Sequence, residues 1–211
     1  MSRVQKTDKK QRRRPKQQRS IARYNAVLDA AARVLMRQGY RKLTMSEICL
    51  ESGQAYATVY QYFGNTDDVL AGWVNRLMDQ FFLSLSVKVR ANSRQSQAFY
   101  VDVLIHDTLH HIEEHALVLY FLFDGIPQLL TSNLVQTMEE KTLWWIYAEF
   151  YPEPAANQAA GYSPLIMTVK VIIGYWLQRI LTYRKGESRN AALAQEIEEL
   201  ATLVKRYLCL E

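Results

Sequence analysis

The sequence predicts an all-α protein, with an N-terminal three-helix domain of helix-turn-helix type followed by a larger helical domain. Apolar residues recur at spacings of three and four along most of the chain, which is the helical period. No proline interrupts the chain between Pro15 and Pro127. Ala116–Phe123 is the one apolar run that resembles a strand, and it has no obvious partner strand. With 211 residues, the chain is long enough for one or two domains.

Charge is distributed unevenly along the chain. The net charge of +5 divides into +8 over residues 1–20, +2 over residues 21–63 and −5 over residues 64–211. The N-terminal end is therefore expected to bind a polyanion, and the remainder is not. An apolar content of 49% excludes a disordered or fibrous chain.

Composition also predicts the cellular compartment. Cys49 and Cys209 lie far apart and form neither a disulfide framework nor a CxxC metal motif. The basic N-terminus is not followed by an apolar run, as a secretory signal would be. The longest apolar stretch, Ala116–Phe123, is far shorter than the ~20 residues that span a membrane. We expect a cytoplasmic protein that does not bind a membrane.

The first helices are predicted from local signals. Residues 1–19 contain almost no apolar side chains and are expected to be disordered. An amphipathic helix runs from Ile21 to a terminating Gly39. Thr44 opens the second helix with a capping box, in which its hydroxyl accepts from the amide of Glu47 and the Glu47 side chain reaches back. Gly53 ends that helix after two turns.

The remaining helices follow in the same way. A third, short helix runs over residues 55–62, and Asn65 and the acids after it cap a fourth helix extending to about Val89. Ser163 and Pro164 open a later helix. The predicted helices after the fourth cover about residues 96–114, 116–123, 131–150, 164–184 and 190–209. We predict domain boundaries after residues 19 and 66, which gives a basic tail (1–19), a helix-turn-helix domain (20–66) and a helical domain (67–211).

Residues 44–63 form the motif that points to a function. Two short helices joined at Gly53 are the sequence form of a helix-turn-helix, although such pairs also occur as plain packing units. Cys49 is small enough for a close helix crossing, whereas Val59 and Phe63 point to the core. A helix-turn-helix places the exposed face of its second helix in the DNA major groove. Here that face consists of Gln54, Ala55, Tyr56, Thr58, Tyr60 and Gln61.

The segment from about residue 20 to 75 resembles the N-terminal DNA-binding domain of the TetR family of bacterial transcriptional regulators. The matching positions are Ala30, Ala31, Gly39, Tyr40, Thr44, Ile48, Gly53, Thr58, Tyr60, Tyr62, Phe63 and Leu70. Three positions depart from the family pattern. Ala55 offers no side-chain oxygen to cap the recognition helix, Tyr56 replaces the usual lysine, and Thr66 replaces a lysine before the fourth helix.

The basic tail is expected to compensate for the lost phosphate contacts by lying in the minor groove or along the backbone. Tyr62 and Cys49 are interpreted as packing residues. The residues predicted to bind double-stranded DNA are Arg14, Lys16, Arg19, Thr44, Gln54, Ala55, Tyr56, Thr58, Tyr60 and Gln61.

The four histidines all fall between residues 106 and 115. His106 and His110, like His111 and His115, have the i, i+4 spacing that can place two metal ligands on one helix face. The two pairs lie on different faces, however, and no cysteine or distant histidine completes a site. We therefore predict no metal and no cofactor, with one pair lining a cavity or pairing with Asp102 and the other solvated.

The resemblance implies a C-terminal helical bundle that encloses an effector pocket. Eighteen of the 24 aromatic residues lie after residue 63, so a small, largely apolar or aromatic effector is expected. The residues predicted to bind it are Tyr100, His106, His110, Phe121, Trp144, Tyr147 and Trp176. The last two helices carry apolar stripes that the resemblance assigns to a homodimer. Its predicted interface consists of Val169, Ile173, Trp176, Ile180, Ile197, Leu200, Val204 and Leu208.

The sequence thus predicts a ligand-responsive, dimeric repressor and not an enzyme. A dimer would place two recognition helices ~34 Å apart and read a near-palindromic operator. An effector would move the helix that begins near Thr66 and change the spacing of those helices. Two alternatives remain. One is a DNA-binding regulator or architectural factor without an effector, and the other is a helical enzyme using His106 or His110 with Asp102.

Overall fold

The computed structural model describes residues 18–92, 94–125, 133–150, 163–181 and 191–210. Within these ranges it describes the side chains except at 121–125, 133–134, 147, 150, 163–164, 181 and 191–193. The described residues form helices and turns, without strands, which confirms the predicted all-α class. None of the described helices is long and apolar enough to cross a membrane.

The helices follow one another with short connections where the chain is described. They are α1 (Gln18–Gln38), α2 (Met45–Ser52), α3 (Tyr56–Tyr62), α4 (Thr66–Ala91), α5 (Gln97–Gly125), α6 (Asn133–Phe150), α7 (Ser163–Leu181) and α8 (Ala191–Tyr207), with a 3₁₀ turn at Tyr40–Lys42. The chain divides into two compact units between Trp73 and Val74, so α4 contributes residues to both.

In the first unit, α1 packs on α2 and α3. Six residues of α1 are buried, spaced as the sequence pattern predicts: Val27, Leu28, Ala30, Ala31, Val34 and Leu35. Gly72 lies where α4 closely approaches Tyr24 and Phe63. A Cβ atom there would lie 2.9 Å from the Tyr24 hydroxyl oxygen and 3.1 Å from the Phe63 ring. Tyr24 and Phe63 stack with ring centroids 4.8 Å apart, so a small residue is required beside them.

In the second unit, α5 packs on α7 and α8, and α6 packs on α7. Its core collects the inward faces of these helices with the second half of α4, around Leu85, Ile105, Ile172, Ile173 and Ala201.

Two sequence predictions about helix limits are wrong. Residues 97–125 form one helix, whereas the sequence suggested a break between 114 and 116. Ala116 and Leu119 are buried on the same face that carries Ile105 and Leu109, so the core continues without interruption. Arg19, expected in the disordered tail, lies in the first turn of α1.

Candidate nucleic-acid interface and ligand cavity

The turn between α2 and α3 has the backbone that a helix-turn-helix requires. Gly53 adopts a left-handed conformation with φ 65° and ψ 17°, and its amide donates to the Leu50 carbonyl. Glycine reaches this region without the cost that a Cβ imposes. Cys49 is buried under the helix crossing, and burial raises the pKa of its thiol. A packing role follows for Cys49, as predicted.

The N-terminus of α2 is capped by Thr44. Its hydroxyl oxygen accepts from the Glu47 amide at 3.2 Å, which confirms the first half of the predicted capping box. The Glu47 carboxylate accepts instead from Gln38 Nε2 at 3.4 Å. The second helix is thereby tied to the end of α1. The Thr44 side chain remains exposed, so its hydroxyl hydrogen is available to a phosphate oxygen.

The exposed face of α3 is aromatic. Tyr56 and Tyr60 are 51% and 44% exposed, and their rings stack with centroids 6.4 Å apart and planes 16° apart. The Tyr56 hydroxyl donates to Ser46 Oγ on α2, which fixes the side chain at the helix start. Ala55 provides no side-chain hydrogen bond to the first turn of α3, as expected. The tyrosine pair therefore forms a rigid, solvent-facing ledge on the predicted recognition helix.

The other predicted DNA-binding residues lie around this ledge where they are described. Ala55 and Gln61 are exposed, and Gln54 and Thr58 are half-buried. Arg19 is exposed on α1, while Arg14 and Lys16 lie outside the described residues. Sequence reasoning missed Arg41 and Lys42, two exposed cations in the turn directly before α2. Their position just ahead of the Thr44 cap is the signal that would have found them.

The inner side of α3 and the start of α4 are fixed by polar contacts. Tyr62 shares a hydrogen bond with Ser20 at 2.8 Å and packs edge-on against Tyr24, so it is structural, as predicted. Asn65 Oδ1 accepts from the Asp68 amide at 2.8 Å, which confirms the predicted cap of α4. Tyr40 donates to Asp67 at 2.9 Å, and burial together with this bond raises the pKa of Tyr40 to about 12.

A cavity of about 200 Å³ lies within the second unit between the ends of α5, α6, α7 and α8. Its described lining is largely aliphatic, with Gln97 and Thr168 adding polar groups. The lining residues are Gln97, Tyr100, Val101, Leu104, Trp145, Ile146, Leu165, Thr168, Val169, Ile172, Val204, Leu208 and Leu210.

The structure distributes the predicted effector residues differently. Tyr100 lines the cavity, and its hydroxyl donates to the Asn92 carbonyl at 2.7 Å. Trp144 is 72% exposed, so the prediction for it is wrong: a one-residue step along α6 turns a side chain by ~100°, and Trp145 faces inward instead. Trp176 lies in the core. The side chains of Phe121 and Tyr147 lie outside the described ones.

Trp145 links the cavity wall to α4. Its indole Nε1 donates to Ser86 Oγ at 2.8 Å. Ser86 is also hydrogen-bonded to the Glu149 carboxylate. Arg90 donates to the same carboxylate from Nε at 3.1 Å and from Nη2 at 2.8 Å. Arg90 holds the pKa of Glu149 below its usual range, with Ser86 adding to the effect. A continuous polar chain thus runs from the cavity-lining indole to two residues of α4.

The histidines do not enter this cavity. His106 bonds to the Asp102 carbonyl at 2.9 Å and to Glu198 at 3.2 Å, and the Asp102 carboxylate pairs with Lys205 instead. The predicted pairing of a histidine with the Asp102 side chain, and the acid–base pair of the enzyme alternative, are therefore not formed. His110 lies 3.3 Å from Glu114 beside a separate, polar cavity.

The predicted dimer stripe faces the core of its own unit. Val169, Ile173, Trp176, Ile180 and Val204 are all buried within one chain, and Ile197, Leu200 and Leu208 pack against the same core. Five of the predicted interface side chains are thus covered within one chain, whereas Ile197, Leu200 and Leu208 are only half-buried, and the interface itself stays a prediction. A different face of the same helices is apolar and exposed. It consists of Ile166, Met167 and Val171 on α7 with Leu203 and Tyr207 on α8, and we call it the α7–α8 face.

These features define a helix-turn-helix protein with a separate helical domain, and known proteins resemble it in sequence and in fold. Residues 27–72 match the family model described as bacterial regulatory proteins, tetR family. The matched segment, which runs from α1 into α4, is thus similar to the N-terminal domain of TetR regulators. A fatty acid metabolism regulator protein of Bacillus subtilis is 31% identical over 81 residues, which are 37% of this chain and 42% of that protein. The chain thus matches less than half the length of that relative.

Solved structures share the fold over most of the chain. The TetR family repressor AlkX from Dietzia, implicated in biodegradation of n-alkanes, superposes with a TM-score of 0.57 at 16% identity, covering 87% of this chain and 95% of AlkX. The fatty acid degradation regulator FadR from Bacillus halodurans gives 0.54 at 18% identity, covering 90% and 96%. At these identities the likeness shows the fold.

Proposed function

We propose that the chain is a dimeric repressor that binds a near-palindromic DNA operator and is released by a small aliphatic effector. The DNA-binding part of this proposal rests on the exposed Tyr56–Tyr60 ledge of α3, which follows the turn at the left-handed Gly53. Aromatic edges reach thymine methyl groups, and tyrosine hydroxyls reach phosphates and bases. Thr44, Arg41 and Lys42 supply phosphate contacts beside the recognition helix.

The α7–α8 face is proposed as the dimer interface. Met167 is 52% exposed and Leu203 is 58% exposed, which is unusual for apolar side chains on helices that otherwise bury theirs. Gly174 has no neighbouring atom within 4 Å of a built Cβ, so a second backbone can approach there. Two such helices from each chain can pair about a two-fold axis.

The aliphatic lining of the cavity supports an aliphatic effector. Nine of the described lining residues are Val, Leu or Ile, whereas Tyr100 and Trp145 are the aromatic ones. This favours a flexible aliphatic chain over the aromatic ligand that composition also allowed. Two similar proteins carry names that refer to fatty acids, and a third is implicated in n-alkane degradation. We propose a medium-chain fatty acyl compound.

The Trp145–Ser86 hydrogen bond supports a coupling between effector binding in the cavity and the position of α4. An effector that displaces the Trp145 indole would disturb its bond to Ser86 and the linked Arg90–Glu149 pair. Because Ser86 and Arg90 belong to α4, this helix would shift. The first residues of α4 belong to the DNA-binding unit. Ligand binding can thereby favour one of two arrangements of the recognition helices.

Fluorescence anisotropy on the DNA upstream of the protein's own gene tests the proposal. We expect tight binding to an inverted repeat there, weaker binding to a scrambled duplex, and release by octanoic or decanoic acid or their coenzyme A thioesters, but not by benzoic acid. Equal binding to both duplexes would overturn the operator proposal. Operator binding that no acyl compound changes would overturn the effector and favour a regulator without one.

A further inference from the structure

The described part of α5 carries a cluster of three metal-ligating side chains away from the apolar cavity. His111, Glu114 and His115 each offer one ligand atom, and these atoms lie within 4.8 Å of one another. The spacing i, i+3, i+4 places all three on one helix face. Glu114 therefore supplies the third ligand that the His111–His115 pair lacks in the sequence analysis. That analysis considered only cysteine and histidine as further ligands.

The surroundings of His111 are unusual for a histidine that only packs. Its ring stacks on Phe81 of α4 with centroids 5.2 Å apart and lies 4.9 Å from the His115 ring. His111 Nε2 is buried, and the backbone of Leu77 contributes a hydrogen bond to the ring. These contacts fix the ring of His111 beside those of Phe81 and His115, so its position in the cluster is determined by the fold.

The donor set of the cluster suits a cation. Each imidazole has a ring nitrogen that can bind a metal ion, and the two rings lie with their centroids 4.9 Å apart. Glu114 brings the negative charge, and His110 lies 3.3 Å from its other oxygen, where it can orient the carboxylate. Lys88, the nearby cation in the adjoining polar cavity, is already paired with Asp107 at 2.7 Å.

We propose that His111, Glu114 and His115 bind one divalent transition-metal ion of the Zn²⁺ class, with water completing a tetrahedral shell. Two imidazoles and a carboxylate are ligands that Zn²⁺ accepts and Mg²⁺ does not favour. Zinc bonds of ~2.0–2.2 Å place tetrahedral ligand atoms about 3.4 Å apart, so binding requires the three side chains to rotate toward one another. This site is independent of the proposed effector and of DNA binding.

Zinc titration of the full-length, untagged, metal-free protein tests the site. In competition with a chromogenic chelator, we expect one Zn²⁺ per chain and no competition from Mg²⁺ at similar concentration. His111→Gln and His115→Gln are each expected to weaken binding by more than about tenfold, and Glu114→Gln by less. His106→Gln is the matched control on the same helix, since His106 bonds to Glu198, and it should bind Zn²⁺ as the parent does.

Two further measurements keep the result unambiguous. Far-UV circular dichroism of each metal-free variant shows whether it is folded before titration. The absorption spectrum of the Co²⁺-loaded protein separates nitrogen and oxygen ligands from the thiolate of the exposed Cys209, which would add a charge-transfer band. Absence of Zn²⁺ binding, a thiolate band, or unchanged affinity in the folded His111→Gln and His115→Gln variants would each overturn the proposal.

Discussion

The indole Nε1 of Trp145 donates to the Ser86 hydroxyl at 2.8 Å, which joins a cavity-lining residue of α6 to the middle of α4. Trp145 is only 4% exposed, so its N–H has no ready access to water if Ser86 is removed. An unsatisfied buried donor costs about 1–3 kcal/mol. The bond is therefore a structural requirement as well as the proposed link between effector and helix.

Ser86→Ala is expected to lower the free energy of unfolding by about 1–2 kcal/mol in urea titrations of the full chain. The matched control is Ser84→Ala on the same helix, an exposed serine whose loss should stay within about 0.5 kcal/mol. If the two variants are equally stable, the Trp145–Ser86 bond contributes nothing and the proposed coupling loses its support.

The Gly53 turn gives a prediction about backbone conformation. No atom lies within 4 Å of a Cβ built at Gly53, so the cost of Gly53→Ala comes from its φ of +65° alone. We expect a loss of about 1–2 kcal/mol, and a smaller loss for Gly53→Asn because asparagine tolerates this region. Thermal unfolding of both variants checks the order. An alanine variant as stable as the asparagine variant would contradict it.

The lowered pKa values of His111 and His115 give a prediction for acid stability. Burial disfavours the charged imidazoles, so their folded-state pKa lies below the ordinary 6.5. Their contribution is full above pH 6.5 and is lost as the pH falls through the folded-state values. The metal-free protein should therefore lose stability below about pH 6.5. The pKa of Glu149 is also lowered, but its effect on stability appears only at pH values below its ordinary pKa of 4.5.

Urea unfolding at a series of pH values measures this effect. His111→Gln and His115→Gln should each flatten the pH dependence between about pH 7 and pH 5. A parent protein equally stable across that range would show that neither imidazole is kept neutral by burial.

Tyr56 gives a prediction about DNA recognition. Tyr56→Ala removes the stacking on Tyr60 and the hydroxyl bond to Ser46, whereas Tyr56→Phe removes the hydroxyl alone. We expect the alanine variant to lose about tenfold or more in operator affinity and the phenylalanine variant markedly less. Anisotropy titrations give both numbers, with Met36→Ala on α1 as an exposed control. Equal affinities for all four proteins would exclude the tyrosine ledge from DNA contact.

Sequence reasoning succeeded where the determinants are local. Thr44 and Asn65 cap their helices, and Gly53 takes its left-handed conformation, because each depends on neighbours within four residues. The exposure of Tyr56 and Tyr60 was also predicted, because helical spacing places them on the face opposite Val59.

The errors concern features that depend on which residues lie side by side in the folded chain. The stripe containing Val169 and Ile173 correctly predicts a buried face, but periodicity does not say whether its partner belongs to the same chain. The choice of Trp144 over Trp145 failed because composition carries no information about helix register. The role proposed for Glu114 was missed because exposed glutamates are common and only the fold shows what lies beside them.

The α7–α8 face gives the final prediction. Met167→Glu and Val171→Glu place charges on exposed apolar positions that the proposed dimer would bury. An unpaired charge in an interface costs several kcal/mol, so the dimer dissociation constant should rise at least about 100-fold, or about 3 kcal/mol. Sedimentation equilibrium at micromolar concentration should then show monomers. Leu83→Glu, on α4 and more exposed to solvent than either, is the control and should remain dimeric. Because one monomer contacts a single half-site, the two dissociated variants should also lose tight operator binding while their helical content is retained. If they stay dimeric, the chains pair through another surface.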